Sequence, residues 1–287
     1  MIGAASAGGS ATVVNAIAAG KGAAFGVDIR VTAEVRLNPK SRKIVGKIIG
    51  ARESPKLIEI CVRKTLKHLK AGNLGAFVTT TSDIPIAVGL SSSSAAANAA
   101  VLATFAVLGK KPDSRTVLKL AVDAAFEAGV TVTGAFDDAA ASLYGFGVVT
   151  DNKKRKIIRK FRVNPSLRVV IHVPPSKLYT AKLKGVSLAK IKAGVEEAHK
   201  LAVGGKVWDA LTFNGLLYSS ALGHDVGPTM EALSAGALAA GITGKGPATV
   251  AVADVDSAVK IAKVWAKRPG KVILTRAARK GGVVEGP

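Results

Sequence analysis

Apolar and polar positions alternate most clearly between residues 23 and 37, where Val27, Ile29, Val31, Ala33, Val35 and Leu37 recur every second residue. That period puts one face of a strand on a core and leaves the other to water. Asn38-Pro39-Lys40-Ser41 forms a turn signal, and Lys43–Ile49 reads as the strand returning beside the first. The spacing then becomes helical. Pro55 opens a segment to about Lys70 with Leu57, Ile58, Cys61, Val62, Thr65, Leu66 and Leu69 on one face. Gly75–Thr81 reads as a strand, Ser92–Leu108 as an Ala-rich helix, and Ser114–Ala128 as a helix capped by Ser114. Residues 146–162 read as a basic hairpin.

The pattern shifts after Asn164-Pro165. Val169–Val173 is a strand signal, followed by helical stretches near 187–203, 206–222 and 228–239. Ala248–Ala253 and Lys271–Thr275 read as strands around a helix at Asp256–Lys267. This order suits an α+β layer, and the shift near 162–166 divides the chain into 1–163 and 164–287. No repeat of solenoid length interrupts either half.

Composition narrows the class. The chain has 287 residues, 48% hydrophobic and 21% charged, enough for proper cores and too apolar for disorder. Aromatic residues make up only 5%, so the interior is built from small and β-branched side chains. One cysteine, Cys61, excludes an internal disulfide and a multi-cysteine zinc site, and fits a reducing, cytoplasmic compartment. Residues 1–24 lack the basic and Leu-rich regions of a targeting segment, and no apolar run is long enough to span a membrane. The net charge of +22 draws anions. Its basic segment 151–192 includes Lys177, Lys182 and Lys184 and has Asp151 as its one acid; a second runs from Lys260 to Lys280. Neither interleaves aromatics as single-strand binders do. The charge therefore reads as solvated surface or as steering of a phosphorylated or carboxylated small molecule, with neither a nucleic-acid nor a membrane partner expected.

Four segments carry chemistry. In Asp83-Ile-Pro-Ile-Ala-Val-Gly-Leu-Ser-Ser-Ser-Ser-Ala-Ala-Ala-Asn98 a strand runs through a glycine turn and four serines into a helix. Gly89 allows close backbone approach, and the free N–H groups and dipole of the helix start favour an anion. One or two serines would serve as a simple cap; four with a glycine exceed that need. The run is no Walker A loop, since Gly20-Lys21 and Gly244-Lys245 are each followed by glycine rather than Ser or Thr. In Thr133-Gly-Ala-Phe-Asp-Asp-Ala139 two acids follow a glycine turn. Asp137 and Asp138 cannot both face one way on a regular element, so one is a candidate for a reaction centre and the other for a helix cap. A carboxylate beside a transferring phosphate orients or deprotonates the attacking hydroxyl. Glu127, ten residues earlier, is a surface acid or a metal ligand. Gly241-Ile-Thr-Gly-Lys-Gly246 places three glycines in six residues around Lys245, as a tight turn or a backbone cradle for phosphate or substrate. Asn15–Asp28 sets Lys21 between glycines, where it reaches an anion or merely marks a flexible turn.

Together, Pro-x-x-x-Gly-Leu-Ser-Ser-Ser at 85–93, Gly-x-x-Asp at 134–137 and the loop at 241–247 resemble the three motifs of the GHMP kinase superfamily over nearly the whole chain. Asn15–Asp28, Thr133–Tyr144 and Asn214–Gly223 resemble most closely its archaeal-type shikimate kinases. Tyr144-Gly145-Phe146-Gly147 departs from that group's Gly-Gly pair after the aromatic. The resemblance implies a two-domain α+β GHMP kinase fold, with a ribosomal protein S5 domain 2-like N-terminal domain and a ferredoxin-like C-terminal one. It implies ATP and Mg²⁺ as cofactors and phosphorylation of shikimate at its 3-hydroxyl, on the route to chorismate and the aromatic amino acids. It implies that Pro85, Ala87, Val88, Gly89, Leu90, Ser91, Ser92, Ser93, Ser94 and Ala95 wrap ATP, that Ser93 and Glu127 hold Mg²⁺, and that Asp137 is catalytic. Lys21 or Lys245 is expected to neutralise charge on the transferring group, with Lys21 as a catalytic candidate, and Asp138, Thr243, Gly244 and Lys245 are expected at the substrate or the transferring phosphate. The alternatives are a homoserine or other small-alcohol kinase of the same superfamily and, from another class, a non-catalytic RNA-binding protein.

Overall fold

The computed structural model describes residues 2–176, 178 and 187–285. Lys177, Lys182 and Lys184 of the basic segment lie outside them. The first half comprises β1 (Ile2–Val14), β2 (Lys21–Asn38), β3 (Ile44–Ile48), α1 (Lys56–His68), β4 (Gly75–Ser82), α2 (Ser92–Val107), α3 (Ser114–Ala128), α4 (Phe136–Tyr144), β5 (Gly147–Asp151) and β6 (Lys156–Phe161). The second comprises β7 (Arg168–Val173), a 3₁₀ turn at Ala189–Ile191, α5 (Lys192–Val203), α6 (Val207–Leu222), α7 (Gly227–Ser234), β8 (Ala239–Ile242), β9 (Thr249–Ala253), α8 (Val255–Trp265), β10 (Lys271–Thr275) and β11 (Val283–Glu285). The first sheet runs β11-β1-β2-β4-β3, with β5 on the opening half of β2 and β6 beyond it; the second runs β10-β7-β9-β8.

Strand β1 has no counterpart in the hydrophobic pattern, because it is Ala- and Gly-rich and nearly every position from Ala5 to Val14 is buried. A strand buried on both faces loses the alternation that marks a half-exposed one. Its small residues admit α2 at close range: a methyl group on Gly3 would stand 2.3 Å from the Val107 nitrogen. Ala95, Ala99, Ala100 and Ala103 of α2 are fully buried in that contact layer. The scarcity of aromatics thus has a packing cause.

Strand β3 does not return beside β2. It pairs in parallel with β4, from Ile44 opposite Ala76 to Ile48 opposite Thr80. Parallel neighbours need a crossover, and α1 supplies it between the two strands. Helix α3 is capped by Asp113 rather than Ser114, the Asp113 carboxylate accepting from the Thr116 amide at 2.9 Å. Helix α7 stops at Ser234; a turn replaces the rest of the stretch read as helical, and β8 begins at its last residue, Ala239. The chain's last strand, β11, leaves the second sheet and pairs with β1. Arg30 holds this return, donating to the carbonyls of Ser6 at 3.1 Å and Gly281 at 2.8 Å. Among the described residues no helix is long and apolar enough to cross a membrane.

Candidate active site

Three turns meet where the two sheets adjoin. The first follows β4. Its backbone enters the left-handed region at Ala87 (φ 61°), Gly89 (φ 96°) and Ser91 (φ 58°), and α2 begins at Ser92. Such conformations are costly for non-glycine residues and persist where surroundings impose them, often at functional sites. Ser91 does not cap α2 with its side chain. Its hydroxyl meets that of Ser10 of β1 at 2.7 Å, and the Ser10 hydroxyl lies 3.0 Å from Asp138 Oδ1. The serines therefore do more than end a helix, and the N–H groups of the first turn of α2 remain for a ligand.

The second turn leads into α4, with Ala135 left-handed at φ 45° and Asp137 and Asp138 in the first helical turn. Both carboxylates line one cavity of about 140 Å³. The expectation that they must diverge is corrected by the start of the helix, where neither is confined to an outer face. Asp137 is 3% exposed. Burial, then the Asp138 charge, pushes its carboxyl up to about 7, against the pull of an Asn152 hydrogen bond. Burial also raises Asp138, opposed by the hydroxyls of Ser91 and Ser10 and by Lys245.

The third turn is Thr243–Gly246, after β8. The Thr12 amide donates to Thr243 Oγ1 at 3.0 Å, and the Thr243 hydroxyl donates to the Gly89 carbonyl at 3.0 Å. The Gly244 amide donates to Thr12 Oγ1 at 2.8 Å, and Asn15 Nδ2 to the Gly244 carbonyl at 2.6 Å. Asn15 is braced from α6, its amide donating to Asn214 Oδ1 at 3.0 Å and its carbonyl accepting from the Tyr218 hydroxyl at 3.0 Å. Lys245 lines the cavity, and burial lowers the affinity of its amine for a proton while Asp138 restores part of it.

The cavity draws together most of the residues expected from sequence: Ala87, Gly89, Ser91, Ser92, Ser93, Ser94, Asp137, Asp138, Gly244 and Lys245. Val88, Leu90 and Ala95 are buried in the core, and the Val88 carbonyl holds the Ala248 amide at 3.0 Å. Thr243 is buried and ties the turns together. Pro85 is partly exposed in the turn leaving β4. Two residues stand elsewhere. Lys21 is exposed at the start of β2, opposite Asp151, and does not line the cavity. Glu127 pairs with Arg63 and with Lys64, the latter at 2.8 Å, on the outer side of α3. The pattern reading missed Ser10, Thr12 and Asn152. None sits in a run with a recognisable period or motif, and contacts between distant segments give them their place.

A second cavity, of about 350 Å³, adjoins the first across the serine loop. Ile48, Leu57, Ile58, Ile86, Ala96 and Leu178 make it apolar, while Ala87, Ser92, Ser93, Val130 and Lys245 line both spaces.

The chain is 42% identical over 278 residues to a curated shikimate kinase of Methanothermobacter thermautotrophicus, covering 95% of this chain and 94% of the relative. A curated shikimate kinase of Pyrococcus abyssi is 42% identical over 266 residues, covering 92% and 95%. Residues 56–146 match the family described as GHMP kinases N terminal domain. The chain belongs to the GHMP kinase family. Solved structures agree on the fold: homoserine kinase from Cytophaga hutchinsonii has a TM-score of 0.77 at 21% identity, covering 98% of this chain and 97% of that one. Methanococcus jannaschii mevalonate kinase has a TM-score of 0.76 at 14% identity, covering 97% and 98%. The fold class expected from sequence is therefore correct.

As a kinase, this GHMP protein takes its phosphoryl group from ATP. Its serine loop offers the amides such a group requires. Among the described residues no three His, Cys, Asp or Glu side chains stand together as a metal site. Mg²⁺ needs less, because phosphates and water supply much of its octahedron. The hydroxyl of Ser93, on both cavities, fits an ion carried in with phosphate, whereas Glu127 is held away from it by Arg63 and Lys64.

Gly22 of this kinase lies against the carboxylate of Asp137: a methyl group there would come within 2.2 Å of Oδ2. Gly22→Ala is expected to lower kcat about 10²-fold by displacing the carboxylate, as ångström-scale misplacement does, with little change in ATP KM. Steady-state kinetics with varied ATP checks this, and unchanged kcat would mean that the carboxylate's position is immaterial.

Proposed function

We propose that this GHMP kinase transfers the terminal phosphoryl group of ATP to the 3-hydroxyl of shikimate, giving 3-phosphoshikimate and ADP. The observation that carries a hydroxyl acceptor is the buried Asp137, pushed up to about 7, on the same small cavity as the serine loop. A base poised near neutrality suits removal of an alcohol proton. The choice of alcohol rests on the curated shikimate kinases that match more than nine-tenths of the chain.

In this reading the adenosine occupies the apolar cavity beside α1, and the phosphates pass over Ser92 and Ser93 toward Asp137. Mg²⁺, held in part by the Ser93 hydroxyl, supplies charge neutralisation on the phosphates when bound. Asp137 takes the proton of the 3-hydroxyl as that oxygen attacks the terminal phosphorus; the bond to the bridging oxygen breaks and ADP departs with its electron pair. Lys245, partly removed from water, offsets charge on the transferring group, an effect of the kind worth about 10²–10³ in rate per donor. Lys21 stands too far outside the cavity lining for that task in this arrangement, so Lys245 is the favoured cation. The enzyme would act in the cytoplasm on a small carboxylic acid, with the surplus basic charge favouring encounter with anionic ligands.

The test is ADP release in a coupled assay with shikimate, homoserine and mevalonate offered separately. Turnover on shikimate at least about 10²-fold above the other two is expected, because a site that pairs with the hydroxyls of a ring rejects open-chain acids that lack them. Activity confined to another alcohol would overturn the substrate and retain the kinase.

A further inference from the structure

The carboxylate of Asp137 is gripped by a residue that belongs to none of the motifs. Asn152 follows β5 at the first turn of the basic hairpin and is 3% exposed. Its Nδ2 donates to Asp137 Oδ1 at 2.7 Å, and its Oδ1 lies 2.7 Å from Thr150 Oγ1. Its backbone is fixed as well, the amide donating to the Gly20 carbonyl at 3.0 Å. Thr150 is fully buried, stands opposite Gly22 in the β2–β5 pairing, and has its carbonyl 3.1 Å from Nε2 of His199. Gly22 in turn touches Oδ2 of Asp137.

We propose that Asn152, set in place by Thr150, is the positioning residue for the Asp137 carboxylate and sustains it in both of its protonation states. The inference rests on the reading of Asp137 as the base that receives an alcohol proton. A buried carboxylate needs a donor, whereas a buried carboxylic acid needs an acceptor. A primary amide presents one at each end. The hydroxyl of Thr150 has a single hydrogen and two acceptors in reach, Asn152 Oδ1 at 2.7 Å and the Gly22 carbonyl at 3.1 Å. While Asp137 is ionised, Asn152 donates to it and Thr150 donates to Asn152. Once Asp137 carries the acceptor's proton, its O–H donates to the amide oxygen after a half-turn of the amide. The amide N–H then donates to Thr150, and Thr150 donates to Gly22. Each arrangement leaves the facing side-chain atoms of Asp137, Asn152 and Thr150 paired, so proton transfer orphans none of them.

The titratable groups around Asp137 are Asp138 on its own helix, Tyr218 from α6 and Lys245 acting through Asp138. Behind Thr150 stand His199 from α5, Lys21 from β2 and Asp151 from β5. Asn152 is the neutral member of this set, and it favours the ionised carboxylate. Removing it therefore moves the protonation of Asp137 to higher pH.

The experiment compares wild type with Asn152→Leu, Thr150→Val and Thr150→Ser. It reads the pH profile of kcat/KM and, without substrate, the carboxyl-carbon NMR titration of Asp137, assigned by its loss in Asp137→Asn. Asn152→Leu is expected to move the acid limb and the titration upward by about one pH unit or more, the weight of a hydrogen bond to a charged group. It is also expected to lower kcat about tenfold or more, with KM for the acceptor changed much less. Thr150→Val should shift both in the same direction by less, and Thr150→Ser should restore them. An unmoved limb and titration in Asn152→Leu overturn the proposal even if the melting temperature falls, since that is the result of a purely structural role. If Asn152→Leu does not fold, Thr150→Val against Thr150→Ser decides on the same two readouts. If another alcohol proves to be the acceptor, the profile is taken with that alcohol. The substrate-free titration judges Asn152 even where the reading of the substrate fails.

Discussion

Asp137→Asn is expected to lower kcat by about 10²–10⁴-fold while leaving ATP affinity nearly unchanged, because the proposed base acts on the acceptor hydroxyl and not on the nucleotide. The wild-type kcat/KM profile should fall on the acid side near pH 7, where Asp137 takes up its proton. A thermal melt separates this effect from loss of fold. The folded value of about 7 lies above the ordinary value of 3.8, so ionising Asp137 costs stability. That cost is absent below the ordinary value, grows as pH rises between the two values and is complete above the folded one. Asparagine carries no such charge, so the variant should melt higher than wild type at pH 8 and differ less at pH 5. Survival of turnover in Asp137→Asn would remove Asp137 from the role of base.

Gly89→Ala is expected to raise the ATP KM at least about tenfold and to lower the melting temperature by several degrees. Gly89 sits at φ 96°, and a methyl group would come within 2.1 Å of the Thr243 carbonyl oxygen. The obstacle is backbone, which no rotamer change can move aside. Left-handed strain for an L-residue adds about 1–2 kcal/mol, and an overpacked contact typically 1–3 kcal/mol more. Relief requires the serine loop to part from the glycine loop, which widens the proposed phosphate site. ATP titration and a melting curve read the two effects independently, and a wild-type ATP KM would dissociate this contact from nucleotide binding.

Legibility in the sequence followed burial. The half-exposed strand β2 shows a period of two, and α1 buries one clean face, so both were readable residue by residue. Strand β1 was invisible for the opposite reason, being enclosed on both sides by small residues. The turn at Asn38–Ser41 suggests a hairpin for β3, yet the crossover through α1 puts β3 parallel to β4. In the site, the serine loop and paired aspartates were legible because glycine, serine and carboxylate clusters are locally unusual. Ser10, Asn152 and Thr150 were not, since each is an ordinary polar residue until its partner 15 to 128 positions away is known.

Glu127 and Lys21 show the same limit from the other side. The family resemblance implies a metal ligand at Glu127, and Lys21 is one of two candidate cations, but the structure turns Glu127 toward Arg63 and Lys64 and leaves Lys21 exposed. Opposite charges at the end of a helix find one another whatever the neighbouring motif requires, and sequence distance does not reveal that competition.

The amino-acid sequence alone settled the local conformations with strong preferences: the glycine turns, the serine-rich helix start, the α+β order of elements and, through its motifs, the kinase family. Tertiary structure decided which of the chemically able residues share one small space. The contact of Gly89 with Thr243 and the grip of Asn152 on Asp137 join segments far apart in the chain. Such contacts depend on how sheets and helices pack, a property of pairs of distant surfaces that no local pattern encodes.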